Sequence, residues 1–180
     1  MRQQDETKEI NMHDIFVTLH ITGAVSTYLC AFLIFTQRVG SRRHRLFGIG
    51  YAVAMLTTAL SGFGIYNSGY PSIFHVFSVI TLVTISRGWY AIYQYRQSRE
   101  TGHLLNHYFN MAYSFMGINL AAIAQLMRAF SYDSLAQYFT ILGIAYLATI
   151  LVANRLIQKI YFKRFANWFR AGPAEQSPAE

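Results

Sequence analysis

The sequence predicts an all-α integral membrane protein, a bundle of five transmembrane helices, and three observations carry that reading. The 180 residues are 53% hydrophobic and only 13% charged, with 14 Phe and 13 Tyr, a composition outside the range of ordinary soluble domains. The apolar residues gather into five stretches of roughly 20 residues, the length needed to cross ~30 Å of hydrocarbon. The basic residues fall in alternate connections between those stretches.

Residues 1–13 form an extracytoplasmic segment containing Asp5, Glu6, Lys8 and Glu9. No basic region leads into a short apolar run, and no small-residue cleavage site follows Ile34 or Phe35. The first span, 14–36, therefore reads as retained rather than as a signal peptide. Arg38, Arg42, Arg43 and Arg45 precede the second span at 46–66, and the uncharged connection from Asn67 to Ser72 precedes the third at 73–95. Arg96 and Arg99 follow, then the fourth span at 108–128, a connection holding Arg128 and Asp133, and the fifth span at 135–154. After Asn154 come Arg155, Lys159, Lys163, Arg164 and Arg170. The positive-inside rule places the first and third connections and the C-terminus in the cytoplasm and the N-terminus outside, a parity that five spans satisfy. The expected location is the bacterial inner membrane.

Beyond the five-helix domain at 14–154, the stretch 155–171 repeats Arg155, Lys159 and Lys163 every four residues beside Ile157, Ile160, Tyr161, Trp168 and Phe169. That pattern suits a basic helix lying in the inner interface, with snorkelling cations. Residues 172–180, with two prolines, are expected to be a disordered tail. The net charge of +7 sits in connections that face anionic lipid, so it does not call for nucleic acid. Cys30 is the only cysteine, which excludes an internal disulfide and a thiolate cluster.

Four histidines carry the chemistry. His20 and His75 lie toward the outer ends of the first and third spans; His44 and His107 lie toward the inner ends of the second and fourth. Each shares a helical stripe with small or polar residues: His20 with Gly23, Ala24, Thr27 and Ala31; His44 with Gly48, Tyr51, Met55, Thr58 and Gly62. His75 aligns with Ser78, Leu82 and Ser86, and Trp89 lies a turn further on. His107 aligns with Met111, Ser114, Ile118, Ala121, Gln125 and Arg128. Paired imidazoles near each surface suit two redox or metal centres.

The run Arg42-Arg43-His44-Arg45-Leu46-Phe47-Gly48, then Ile73-Phe74-His75-Val76-Phe77-Ser78, then His107 before a span ending near Arg128, resembles an uncharacterised bacterial membrane family, the domain of unknown function numbered twenty-three hundred and six. The likeness covers roughly the first 130 residues, and its most specific piece is the His-Arg-x-x-Gly pattern at His44. Tyr108 follows His107 where that family often has Arg. The resemblance implies a multi-span bundle and supplies no activity. In plan the chain is also similar to diheme b-type membrane cytochromes, in which imidazoles from paired helices clamp one haem near each surface.

Haem ligation by two imidazoles needs neutral rings held by neighbours, small residues where the macrocycle enters, and basic or phenolic groups near the propionates. His20 and His75 meet the first two needs in outline, and Arg128, Tyr66 and Tyr70 are placed to meet propionates on that side. The inner pair is shallower and suits a transition-metal ion, a quinone head group or nothing. No carboxylate or thiolate completes a tetrahedral metal set there; His103 is the one third ligand, a turn from His107 if that connection is helical. Arg87 falls within the third span beside Trp89 and Tyr90. Its guanidinium either snorkels to the inner headgroups or pairs with a propionate or another buried anion.

The expectation is therefore a membrane electron-transfer protein, an oxidoreductase component, binding haem b or a metal through His20 with His75 and His44 with His107, and meeting a quinone or redox-protein partner. A second reading is an accessory or assembly protein with structural histidines. A third is an enzyme acting on a quinone or lipid head group through His44, Arg87 and His107. The spans hold essentially no carboxylate after Asp14, which argues against a proton-coupled transporter, and no proline, which argues against broken transporter helices. No Ser-His-Asp set, phosphate loop or paired carboxylates support hydrolysis or phosphoryl transfer.

Overall fold

Polar residues at the helix starts and two sharp backbone turns divide the chain into its elements. The computed structural model describes residues 11–65 and 73–161, which form five helices and, among the described residues, no strand. They are α1 (Met12–Thr36), α2 (Arg42–Gly62), α3 (Ile73–Ser98), α4 (Thr101–Met127) and α5 (Leu135–Ile160). Side chains of Asn11, Ser41 and Ser134 accept hydrogen bonds from the backbone N–H groups of His13, His44 and Gln137, capping α1, α2 and α5. Gly40, at φ 77°, turns the chain between α1 and α2. Arg99, at φ 60°, does the same in the two-residue connection from α3 to α4.

The helices match the five expected spans in number and order; most are longer at one end, while α2 both starts and ends four residues before its expected bounds. α4 starts at Thr101 rather than 108, so the connection holding His103, Asn106 and His107 is the first two turns of a helix. α5 runs to Ile160, since neither Gly nor Pro occurs between Gly143 and Gly172, and Arg155 and Lys159 belong to it. The remainder of the expected interfacial helix, the tail and most of the N-terminal segment lie outside the described residues.

Three of the helices are long and apolar enough to cross a membrane on their own: α1, Phe74–Ser98 of α3, and α5. The expected five is thus reduced to three by composition alone. α2 opens with Arg42, Arg43, His44 and Arg45 and later carries two threonines and a serine, while α4 carries three asparagines, two histidines and a glutamine. Several hydroxyls bond within their own helix. Those of Thr18, Thr22, Thr27, Thr57 and Thr58 each donate to the carbonyl four residues earlier. The outer faces are apolar: Leu19, Ile21, Val25, Leu29 and Phe32 on α1 are exposed, and along α5 only Ile157 is buried. Exposed apolar area on that scale belongs in lipid rather than in water.

The chain divides into two compact units, Met1–Val79 and Ile80–Glu180, with the boundary inside α3. In the first unit α1 and α2 run antiparallel in close contact: Phe16 lies against Gly64, Gly23 against Ala54 and Thr58, and Cys30 against Gly50. A Cβ on Gly23 would stand 2.6 Å from the Thr58 hydroxyl and 3.1 Å from the Ala54 carbonyl oxygen, so only glycine permits this separation. Gly23, Thr27 and Ala31 are buried on α1 against a buried row on α2 that includes Tyr51, Met55 and Thr58. In the second unit α4 is antiparallel to α5. The Tyr108 hydroxyl donates to the Ile157 carbonyl at 2.7 Å and the Tyr113 hydroxyl to Asn154 Oδ1 at 3.2 Å. Tyr161 closes this end with ring contacts to Tyr108 and Phe109.

Candidate functional site

His20 stands two turns inside α1 on the stripe that faces α2. Its Nδ1 lies 2.8 Å from the carbonyl oxygen of Thr58 and 3.4 Å from the Ser61 hydroxyl. A carbonyl only accepts, so Nδ1 carries the hydrogen and, in the neutral ring, Nε2 carries the lone pair. That is the arrangement in which ligating imidazoles are held, one nitrogen anchored and the other presented.

His75, 9% exposed, sits in the first turn of α3 with its ring centroid 5.9 Å from that of Phe63. One turn on, Ser78 is buried, and its hydroxyl would lie 2.9 Å from a Cβ placed on Gly62. The same Cβ would stand 3.5 Å from Cε1 of His20. His20, His75 and Ser78 therefore gather around one short segment, Ser61 to Phe63, where α2 ends. The absence of a side chain at Gly62 is what lets α1 and α3 approach it together.

The other two histidines occupy different units. His44, in the first, donates its backbone N–H to the hydroxyl of Ser41, the residue that caps α2, at 3.1 Å. Its ring is half-buried, its Nδ1 has no hydrogen-bond partner among the described residues, and burial pushes its imidazole below the ordinary value of 6.5. The arginines around it, Arg42, Arg43 and Arg45, are exposed, and a Cβ on Gly48 one turn away would meet open space. His107, in the second unit, has its Nδ1 2.8 Å from the carbonyl oxygen of Gly88 on α3. It therefore carries its lone pair on Nε2, as His20 does. A Cβ on Gly88 would stand 2.8 Å from Met111 Sδ, so this glycine sets how near α4 comes to α3.

Arg87 precedes Gly88 and is exposed, with Trp89 and Tyr90 also exposed beyond it. Arg128 caps the C-terminus of α4 in the second unit and is exposed. Tyr66 and Tyr70 lie outside the described residues. The expected stripes hold in full on α1 and α2 and part of the way on the others. On α3 the buried row is His75, Ser78, Thr81, Ile85, Gly88 and Ala91, while Ser86 and Trp89 are exposed. On α4, His107, Met111, Ser114 and Ile118 stay on the inward side, whereas Gln125 and Arg128 are exposed. On α4 the stripe alternates steps of four and three, a mean of 3.5 that drifts by about 20° in every seven residues from a helix of 3.6-residue period.

The sequence reading placed Thr58 on the α2 stripe but identified neither its carbonyl nor that of Gly88 as an anchor of the two rings, because a carbonyl leaves no signature in residue type. Among the described residues no three or more His, Cys, Asp or Glu side chains gather to hold one metal ion. No family model, no curated protein and no solved structure matches the chain.

Proposed function

We propose that the protein is a five-span membrane bundle that binds haem b or a transition-metal ion through His20 and His75 and passes electrons. The observation that carries this is the anchored tautomer of His20 beside a second buried histidine at the same end of α2. Two neutral imidazoles with no carboxylate or thiolate fit haem iron, or Zn and Cu among free ions. In this reading Thr58 holds the His20 proton, Phe63 orients His75, and Gly62 with Ser78 keeps bulk away from both rings. Bound haem would supply a one-electron iron couple.

Support for five spans comes from direction and contact. α2 lies antiparallel along α1 from Phe16 to Cys30, so a layer crossed by α1 is crossed by α2 as well. α4 is likewise antiparallel to α5 in the second unit. Helices covered by neighbours can be less apolar than those facing lipid, which accounts for the composition of α2 and α4. The basic connections at Arg38–Arg45 and Arg96–Arg99 then fall on one side, which the positive-inside rule makes the cytoplasm of a bacterial cell.

The test is an absorption spectrum of detergent-solubilised protein from haem-replete cells, oxidised and then reduced, with elemental analysis. A Soret band that shifts on reduction, or bound metal, lost in both His20→Gln and His75→Gln, is the expected result. Neither band nor metal removes the proposal. A second reading has its own observation: His20 and His107 each tie one helix to the next through a backbone carbonyl, which is what a structural histidine does. In a non-catalytic accessory protein, glutamine at both positions would preserve the phenotype.

A further inference from the structure

His103 and His107 lie four residues apart in the opening turns of α4, a spacing that puts two side chains on one helix face with Cβ atoms about 6 Å apart. Their surroundings differ. The Gly88 carbonyl keeps the hydrogen of His107 on Nδ1 and the lone pair on Nε2. The Glu100 carboxylate stands 3.5 Å from Nε2 of His103 and favours a hydrogen there, with the lone pair on Nδ1. That Nδ1 is buried and has no hydrogen-bond partner among the described residues. An acceptor left so costs on the order of 1–3 kcal/mol, and a bound ion removes the cost.

Helical side chains lean toward the N-terminus, so His107 extends back over the preceding turn with its far nitrogen, while His103 offers its near one. Glu100 stands outside, 73% exposed, at the water boundary. The neighbouring cation Arg99 is drawn off over the Tyr95 ring, 5.8 Å from its centroid. We propose that His103 and His107 bind a divalent transition-metal ion, with water filling the open positions and Glu100 and the Gly88 carbonyl as the outer partners that orient the rings. Imidazole nitrogens select Zn, Cu or Ni over Mg and Ca. Two protein ligands make an exchangeable site, not a closed structural one. The assignment is independent of any centre at His20 and His75.

Equilibrium dialysis of the full chain against Zn²⁺, after purification through a tag without histidine, tests it. The expected result is one ion more per chain in the wild type than in His103→Gln, with unchanged helical circular dichroism and a monodisperse elution. Glu100→Gln, at an exposed position that does not threaten the fold, should weaken the same ion about 10- to 100-fold. His13→Gln and His44→Gln should leave it in place. Equal Zn²⁺ binding by wild type and His103→Gln, or no effect of Glu100→Gln, overturns the proposal. An absent Soret band would not touch it, and a Soret band retained in His103→Gln keeps the two centres separate.

Discussion

The two units join their helices in different ways. α1 and α2 approach closely through Gly23, Thr27, Ala31, Ala54 and Thr58. α4 and α5 are held at arm's length by phenols, Tyr108 reaching the Ile157 carbonyl and Tyr113 reaching Asn154. In lipid there is no hydrophobic force pressing helices together, so association rests on close packing or on hydrogen bonds between helices. The first unit rests mainly on close packing, with one such bond from His20 to the Thr58 carbonyl, and the second on its tyrosine hydroxyls. A close-packed seam cannot absorb a larger side chain, whereas a tethered one tolerates bulk and depends on a few polar atoms.

The sharpest way to break that contrast is to add bulk to the close seam. Gly23→Leu should destabilise the protein by about 3 kcal/mol, because the added atoms meet Thr58 and the Ala54 backbone, as a titration of folded protein with sodium dodecyl sulfate would measure. A tether should give way more gently. Tyr108→Phe removes one hydroxyl from the Ile157 carbonyl and should cost about 1 kcal/mol in the same titration, with α1 and α2 unaffected. Gly48→Ala, where a Cβ meets open space, should stabilise α2 by up to ~1 kcal/mol, which separates tight glycines from loose ones within one helix.

The smallest effect is one of pH. Burial holds the His44 imidazole below its ordinary value of 6.5, so the unfolded chain takes up that proton before the folded one does. Stability is therefore complete above about 6.5 and declines as the pH falls from there toward the lower folded value. Melting curves between pH 7.5 and 5 should show the decline, and His44→Gln should flatten it.

Helix number, order and most boundaries were legible because α1, α3 and α5 carry long runs of exposed apolar residues. α2 and α4 were expected as spans too, but their polar residues leave neither apolar enough to cross a membrane by composition alone. The stripe through His20 was read correctly because Gly23, Thr27 and Ala31 are small and evenly spaced, and steric room is a property of residue type. The anchors of His20 and His107 were hidden because the groups that hold them, the carbonyls of Thr58 and Gly88, are common to every residue. His103 was visible as a neighbour of His107 only on the condition that its segment be helical, and Thr101 as the start of α4 meets that condition.

The two residues between α3 and α4 do more than reverse the chain. With Arg99 locked at φ 60° and Glu100 immediately before the first helical turn, the connection sets the rotational phase of α4 about its own axis. One inserted residue there would swing every side chain of α4 by about 100°, carrying His107 away from the Gly88 carbonyl and the Tyr108 hydroxyl away from Ile157 together. The hairpin thus behaves as a clocking pin, and its length is as much a requirement of the histidine arrangement as the histidines themselves.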